Sequence, residues 1–325
     1  MLYPLLLSDS LELILFIPNK PPIHRSVAIK EADINQLVID FKAGLRDTDS
    51  LDVIEPATKL YNLLIKPIEA DLANTNTILY APDGLLRYIP IAALYDGKQW
   101  LVEKYRVNNL IAYSLSDFTQ KPQRQLRILA GAFGGAQNTT KFGQVSLPAT
   151  VTEVQSISDA LPDTTKLVAN DFSRKATENQ MQNKNIVHLA THAEFNSGKP
   201  EDSFLIFGNG DKILLSEMKD LPMSNVDLIV LSACQTGVGK LGNGIEILGF
   251  GYQVQRAGAK AAIASLWQVS DEGTQALMQA FYNDVKQGDR SKAESLRQAQ
   301  IATIRSKNFS HPFYWSAFIL ISNGL

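Results

Sequence analysis

At 325 residues the chain can bury a substantial core, and at about 100 to 200 residues per domain it suits two units, or one large domain with a smaller lobe. Hydrophobic residues make up 45% and charged residues 20%, a globular balance that excludes long disorder. A net charge of −2 provides no field to draw in nucleic acid or an anionic membrane, the longest apolar runs (13–17 and 228–231) are too short to cross a bilayer, and no basic leader follows Met1, so a cytoplasmic protein is expected.

In chain order, 11–17 reads as a strand that pairs, after a turn over 18–22, with a second strand over 26–29. The helical spacing of Ile34, Leu37, Val38 and Phe41 predicts a helix over 31–45. Leu60, Leu63, Leu64 and Ile68 predict another over 56–72, kinked or broken at Pro67. A short strand at 77–80 runs into the turn Ala81-Pro82-Asp83-Gly84, and 89–114 is mixed and mostly extended. The polar connector over 119–124 marks the expected boundary between an amino-terminal lobe, 1–120, and a second lobe, 121–325. Beyond it, strands at 127–133, 166–169, 185–191, 227–233, 259–266 and 314–322 alternate with helices at 151–161, 173–182, 244–256, 271–286 and 291–304. That order predicts an α/β fold: an open, mostly parallel sheet with helices on both faces, plus a smaller amino-terminal α+β lobe. There is no internal repeat of solenoid period and no low-complexity tract.

Ligands of open α/β sheets bind beyond the carboxyl ends of strands, so the residues there matter most. One strand ends in Ala190-Thr191-His192-Ala193 and another in Ser232-Ala233-Cys234-Gln235-Thr236-Gly237. His192 and Cys234 are 42 positions apart, enough for an excursion and a return on the neighbouring strand. Cys234 is the chain's one cysteine, which rules out an internal disulfide or a multi-thiolate zinc site; no metal or organic cofactor is expected. A thiol beside an imidazole that takes its proton becomes a nucleophile at neutral pH, so Cys234 is the candidate nucleophile and His192 the candidate base. The backbone N–H groups of Ala193 and Cys234 are candidates for an oxyanion hole. Glu194 is a candidate for orienting His192, whereas His188, about 13 Å back along the strand, is read as a structural core histidine. Gly237-Val238-Gly239-Lys240-Leu241-Gly242 fits a dinucleotide fingerprint, but Ala261-Ala262-Ile263 stand where an acidic ribose ligand belongs, so these glycines are read as a loop after the nucleophile.

The 232–237 motif resembles the caspase signature around the catalytic cysteine, with one residue inserted before the glycine. Across nearly the whole chain the sequence resembles the CHAT family, caspase-like domains that usually accompany tetratricopeptide repeats. The resemblance rests on 60–67, 82–90, Ala190-Thr191-His192, 232–237, Ser265-Leu266-Trp267-Gln268-Val269-Ser270-Asp271 and Tyr314-Trp315-Ser316-Ala317-Phe318. It implies a caspase-like sheet, a cysteine endopeptidase of clan CD acting on a protein or peptide, and tetratricopeptide repeats or a regulatory protein as partners. In the related separase loop the final Asp, matched by Asp271, supplies the pocket for a basic P1 side chain; Gln268 replaces that loop's first Asp. Read locally, Asp271 also suits the N-cap of the helix that follows, and Trp267 suits the core. The alternative from another class is a peptide-binding interaction module, or pseudoprotease, using the same pocket without cleavage.

Overall fold

The computed structural model describes residues 1–111, 125–196, 200–232, 235–236 and 245–322. The connector over 119–124, Ala233, Cys234 and the glycine-bearing stretch 237–242 lie outside the described residues.

The chain opens with three antiparallel strands, β1 (Leu2–Leu6), β2 (Ser10–Leu15) and β3 (Ile23–Ala28). In β2, Leu11, Leu13 and Leu15 alternate with Glu12 and Ile14, so one face is buried. Helix α1 (Glu31–Arg46) buries Ile34, Val38 and Phe41 in the same core. Helix α2 (Ile54–Leu64) stops before Pro67, whose missing N–H and fixed φ suit the 3-10 turns of Lys66–Leu72 instead. Strand β4 (Thr77–Tyr80) follows, then α3 (Leu101–Lys104) and β5 (Arg106–Asn109). The described part of 89–114 is therefore less extended than expected, with a 3-10 turn at Ile91–Ala93 ahead of α3.

The rest of the chain alternates: β6 (Ile128–Ala132), the hairpin β7 (Thr140–Lys141) and β8 (Gln144–Val145), α4 (Pro148–Ala160), β9 (Thr164–Val168), α5 (Arg174–Met181) and β10 (Ile186–Ala190). Next come β11 (Ala193–Phe195), β12 (Phe204–Ile206), β13 (Lys212–Leu214), β14 (Leu228–Leu231), β15 (Gln235–Thr236), α6 (Ile245–Arg256) and β16 (Ala262–Ser265). Helices α7 (Asp271–Val285), α8 (Lys292–Ile304) and α9 (Pro312–Trp315) and strand β17 (Phe318–Ile321) close the described chain. The expected strand over 314–322 is thus shorter. Pro312 sits at the first helical position and starts a helical turn, and the strand begins only at Phe318.

One sheet of eleven strands runs β3-β2-β1-β4-β5-β17-β16-β14-β10-β6-β9. Its centre, β16-β14-β10-β6-β9, is parallel, and β17 runs antiparallel to β16 while pairing in parallel with β5. Strands from both sides of residue 120 therefore share this sheet. Every residue of β6, β10, β14 and β16 is buried, which explains their unbroken apolar runs: helices cover both faces. Helices α4 and α7 cover the face carrying His188. Helix α6 lies on the opposite face, where Gly251 packs so closely that a Cβ would fall 2.7 Å from Ile321 Cγ2. A smaller sheet, β13-β12-β11-β15, continues from the carboxyl ends of β10 and β14. Among the described residues no helix is long and apolar enough to cross a membrane.

Candidate active site

His192 stands two residues beyond β10, buried, at the tip of the parallel sheet. Its Nε2 lies 2.6 Å from the carbonyl oxygen of Val145, at the end of the β7–β8 hairpin. A carbonyl can only accept, so Nε2 carries the ring proton and Nδ1 keeps the lone pair. The imidazole edge meets the Phe133 ring with centroids 5.0 Å apart and planes at 85°. Burial pushes the His192 pKa below the ordinary 6.5, and the Val145 carbonyl opposes part of that shift. The ring is therefore held as a neutral base near neutral pH.

The hairpin that presents Val145 folds for local reasons. Phe142 and Gly143 both have positive φ, 53° and 79°, the arrangement of a two-residue turn whose twist matches its strands. The Lys141 ammonium donates to the Gly208 carbonyl and sits 5.3 Å over the Phe133 ring. The Phe142 ring packs on Gly210, where a Cβ would come within 2.9 Å of it. The hairpin is thereby pinned to the β12–β13 turn.

Cys234 lies outside the described residues, but the chain to either side of it has a defined register. Before it, Leu189 pairs with Leu231, and Ser232 N–H donates to Leu189 O at 3.2 Å. After it, Glu194 pairs with Gln235 and Phe195 with Thr236. The backbone of Ala193 has a further property. Ile206 N–H donates to His192 O at 3.1 Å, which makes Ala193 and Leu205 a non-hydrogen-bonded pair of the antiparallel ladder. The Ala193 N–H therefore points away from β12, toward the side on which β15 runs.

Asp271 is the first residue of α7, and the N-cap is Ser270, whose hydroxyl accepts from Gly273 N–H at 3.2 Å. This corrects the capping role read for Asp271. Its carboxylate instead accepts from Ala149 N–H in the first turn of α4. Burial raises the Asp271 pKa above the ordinary carboxylate value; the Ala149 bond opposes that, and the charges of Glu272 and Glu153 add to it. An open cleft of about 430 Å³ lies between Val145, Leu147 and Pro148 on one side and Gln268, Ser270 and Asp271 on the other. The same Val145 that orients His192 therefore walls the cleft beside Asp271.

Glu194 does not touch His192; its carboxylate takes a weak bond from Asn196 Nδ2 at 3.4 Å. His188 is fully buried, with Nδ1 3.0 Å from Tyr282 OH and Nε2 2.8 Å from Glu153 Oε1, the latter an ion-pair distance without hydrogen-bond directionality. Trp267 donates from Nε1 to Phe313 O at 3.0 Å and stacks on that ring, half-buried against the edge of the core. Val145 and Phe133 escaped sequence reasoning. Val145 acts through its backbone, which its residue type does not reveal, and Phe133 reads as one more core residue.

The family model of the CHAT domain matches residues 54–323. Tetratricopeptide repeat protein 28 of Mus musculus is 23% identical over 327 residues, covering 82% of this chain and 13% of the relative. The chain thus spans about an eighth of the length of that curated relative. Among solved structures, the Arg-specific cysteine proteinase gingipain R matches with a TM-score of 0.51 at 11% identity, over 90% of this chain and 74% of that one. The Saccharomyces cerevisiae separase–securin complex matches with a TM-score of 0.51 at 12% identity, over 95% of this chain and 21% of that one. At such identities the likeness speaks for the fold, a large, mostly parallel caspase-like sheet.

Proposed function

The chain belongs to the CHAT domain family, and on that premise we propose that it is a cysteine endopeptidase in which His192 activates Cys234 and Asp271 selects a basic side chain. The observation that carries this reading is the bond from His192 Nε2 to Val145 O. It spends the ring's proton on a fixed carbonyl and leaves Nδ1, on a neutral buried imidazole, to take a proton from a thiol. The registers before and after Cys234 support its approach to that ring, since Leu231 and Gln235 both run beside the strand segments flanking His192.

The chemistry follows. The Cys234 proton moves to His192 Nδ1 and the thiolate attacks the scissile carbonyl carbon. The negative oxygen that forms takes hydrogen bonds from the Ala193 and Cys234 N–H groups. The intermediate collapses to a thioester as the imidazolium protonates the leaving amine. Neutral His192 then deprotonates a water that attacks the thioester, releasing the acid and restoring the thiol. Asp271, at the edge of the cleft walled by Val145, offers a carboxylate to an Arg or Lys side chain of the substrate. Gingipain R, Arg-specific by its description, shares the fold, which supports a search among basic peptides.

The test is cleavage of fluorogenic peptides carrying Arg, Lys, Asp or Leu at P1, by the protein and by Cys234→Ala. Cleavage after Arg or Lys that vanishes in the variant is the expected result. Cleavage after Asp or Leu removes Asp271 from the pocket, and no cleavage at all moves the protein to a peptide-binding module.

A further inference from the structure

Strands β10 and β14 begin against a second cavity, at the opposite end of the sheet from the cleft. Ile186 and Leu228, their first residues, line it together with Asp227, and the turn from α7 into α8 closes it with Val285, Lys292 and Ser295. Ile186 is six residues from His192, about 20 Å at strand rise, so this cavity is separate from the candidate active site. Its volume is about 40 Å³, against about 10–15 Å³ for a single water sphere, which leaves room for a group of about three heavy atoms.

Ser295 is 1% exposed, and its Oγ has no hydrogen-bond partner among the described residues. In the same helix Thr303 bonds back to Ala299 O at 2.8 Å, an option that Ser295 does not take with Ser291 O. Lys292, three residues earlier, shares that face of α8 and is the helix's first residue, where the dipole favours negative charge. The carbonyls that end α7 do not compete for these donors, since Tyr282 O, Asp284 O and Val285 O accept from the N–H groups of Lys286, Gln287 and Gly288. Asp227 is paired with Lys260 and Asp284 with Arg290, so with Lys292 three cations meet two carboxylates, a net charge of one positive. Burial pushes the Lys292 pKa below its ordinary value; the Asp227 charge opposes that shift and the Lys260 charge adds to it. An anion in the cavity would favour the ammonium that burial penalises. A water would satisfy the Ser295 hydroxyl but would bring no charge to Lys292.

We infer that this cavity binds a small carboxylate, one oxygen taking the Ser295 hydroxyl and the other the Lys292 ammonium, and so ties the α7–α8 turn to the amino ends of β10 and β14. The inference does not depend on the peptidase reading.

The test titrates formate into the protein, Lys292→Gln, Ser295→Ala and Lys286→Gln, with ionic strength held constant by a bulky sulfonate buffer. Lys286, at the end of α7, is exposed and does not line the cavity, so its variant controls for general charge. Melting temperature and the NMR line width of labelled formate are followed, each variant against its own formate-free baseline. The wild type and Lys286→Gln are expected to show a saturable rise in melting temperature and saturable line broadening. Half-saturation should need about tenfold or more formate in Lys292→Gln and in Ser295→Ala. No saturable response in the wild type, or the same response in all four proteins, overturns the site. Chloride that half-saturates at or below the formate concentration overturns its assignment to a carboxylate.

Discussion

The two ends of strands β10 and β14 treat polar groups in opposite ways. At the amino ends each is engaged in holding the sheet together. Asn185 Oδ1 accepts from Arg127 N–H at 2.8 Å, Asn185 Nδ2 donates to Gln125 O at 2.6 Å, and Asp227 takes the Lys260 ammonium at 2.5 Å. At the carboxyl ends Ser232 and Ser265 have buried oxygens with no partner among the described residues, and His192 is oriented through one nitrogen so that the other stays basic. Buried polar groups usually find partners, although unmet ones also occur away from the tips, at Ser295 and Ser316 among others. The carboxyl tips are the end at which open α/β sheets bind ligands, and the proposed catalytic site lies there.

The sharpest way to break this contrast is His192→Ala. Peptide cleavage should fall about 100- to 10,000-fold, and loss of the buried ring should cost about 1–3 kcal/mol of stability. Loss of stability without loss of rate would make His192 a structural residue. The pH response sharpens the same point. With burial holding His192 below 6.5, the acid limb of kcat/KM should lie below that of an ordinary histidine. Between its folded pKa and 6.5 the unfolded chain binds a proton that the folded chain refuses. The stability from this group is therefore complete above pH 6.5 and declines as the pH falls through that window. Urea titrations should show a smaller acid-side loss for His192→Gln than for the wild type.

Asn185→Ala tests the other end. It strands the Arg127 N–H and the Gln125 carbonyl and should cost about 1–3 kcal/mol in urea unfolding, with kcat unchanged in the folded fraction. A fall in kcat would show the two ends to be coupled. Among the serines, Ser270→Ala removes a working N-cap of α7 and should cost about 1 kcal/mol. Ser232→Ala and Ser265→Ala remove buried oxygens that bond nothing in the described structure, and each should raise stability, by about 1 kcal/mol. Equal costs for all three serines would erase the distinction between partnered and orphan hydroxyls.

Much of this arrangement is written in local pattern. The unbroken apolar runs of β10, β14 and β16 announce strands covered on both faces, Pro67 announces the end of α2, and His192 and Cys234 stand out because they follow those runs. Such features depend on residue type and spacing alone, which is why they are legible without coordinates. The rest needed residues distant in sequence to meet. The group that orients His192 is a backbone carbonyl 47 positions away, and every residue has one, so no side chain could announce it. Ser270 rather than Asp271 caps α7, because Asp271 is drawn to the first turn of α4. The helical turn at Pro312–Trp315 overrode a strand-like run of aromatics, and the insertion of β17 between β16 and β5 joined strands from both sides of residue 120 in one sheet. The pairing of Ser232 with Ser265 likewise comes from strand register, set by packing across the whole sheet. Sequence by itself determined which segments are strands and helices and which residues can do chemistry. The tertiary structure decided which of them meet, because hydrogen bonds and burial act between atoms close in space, whatever their separation along the chain.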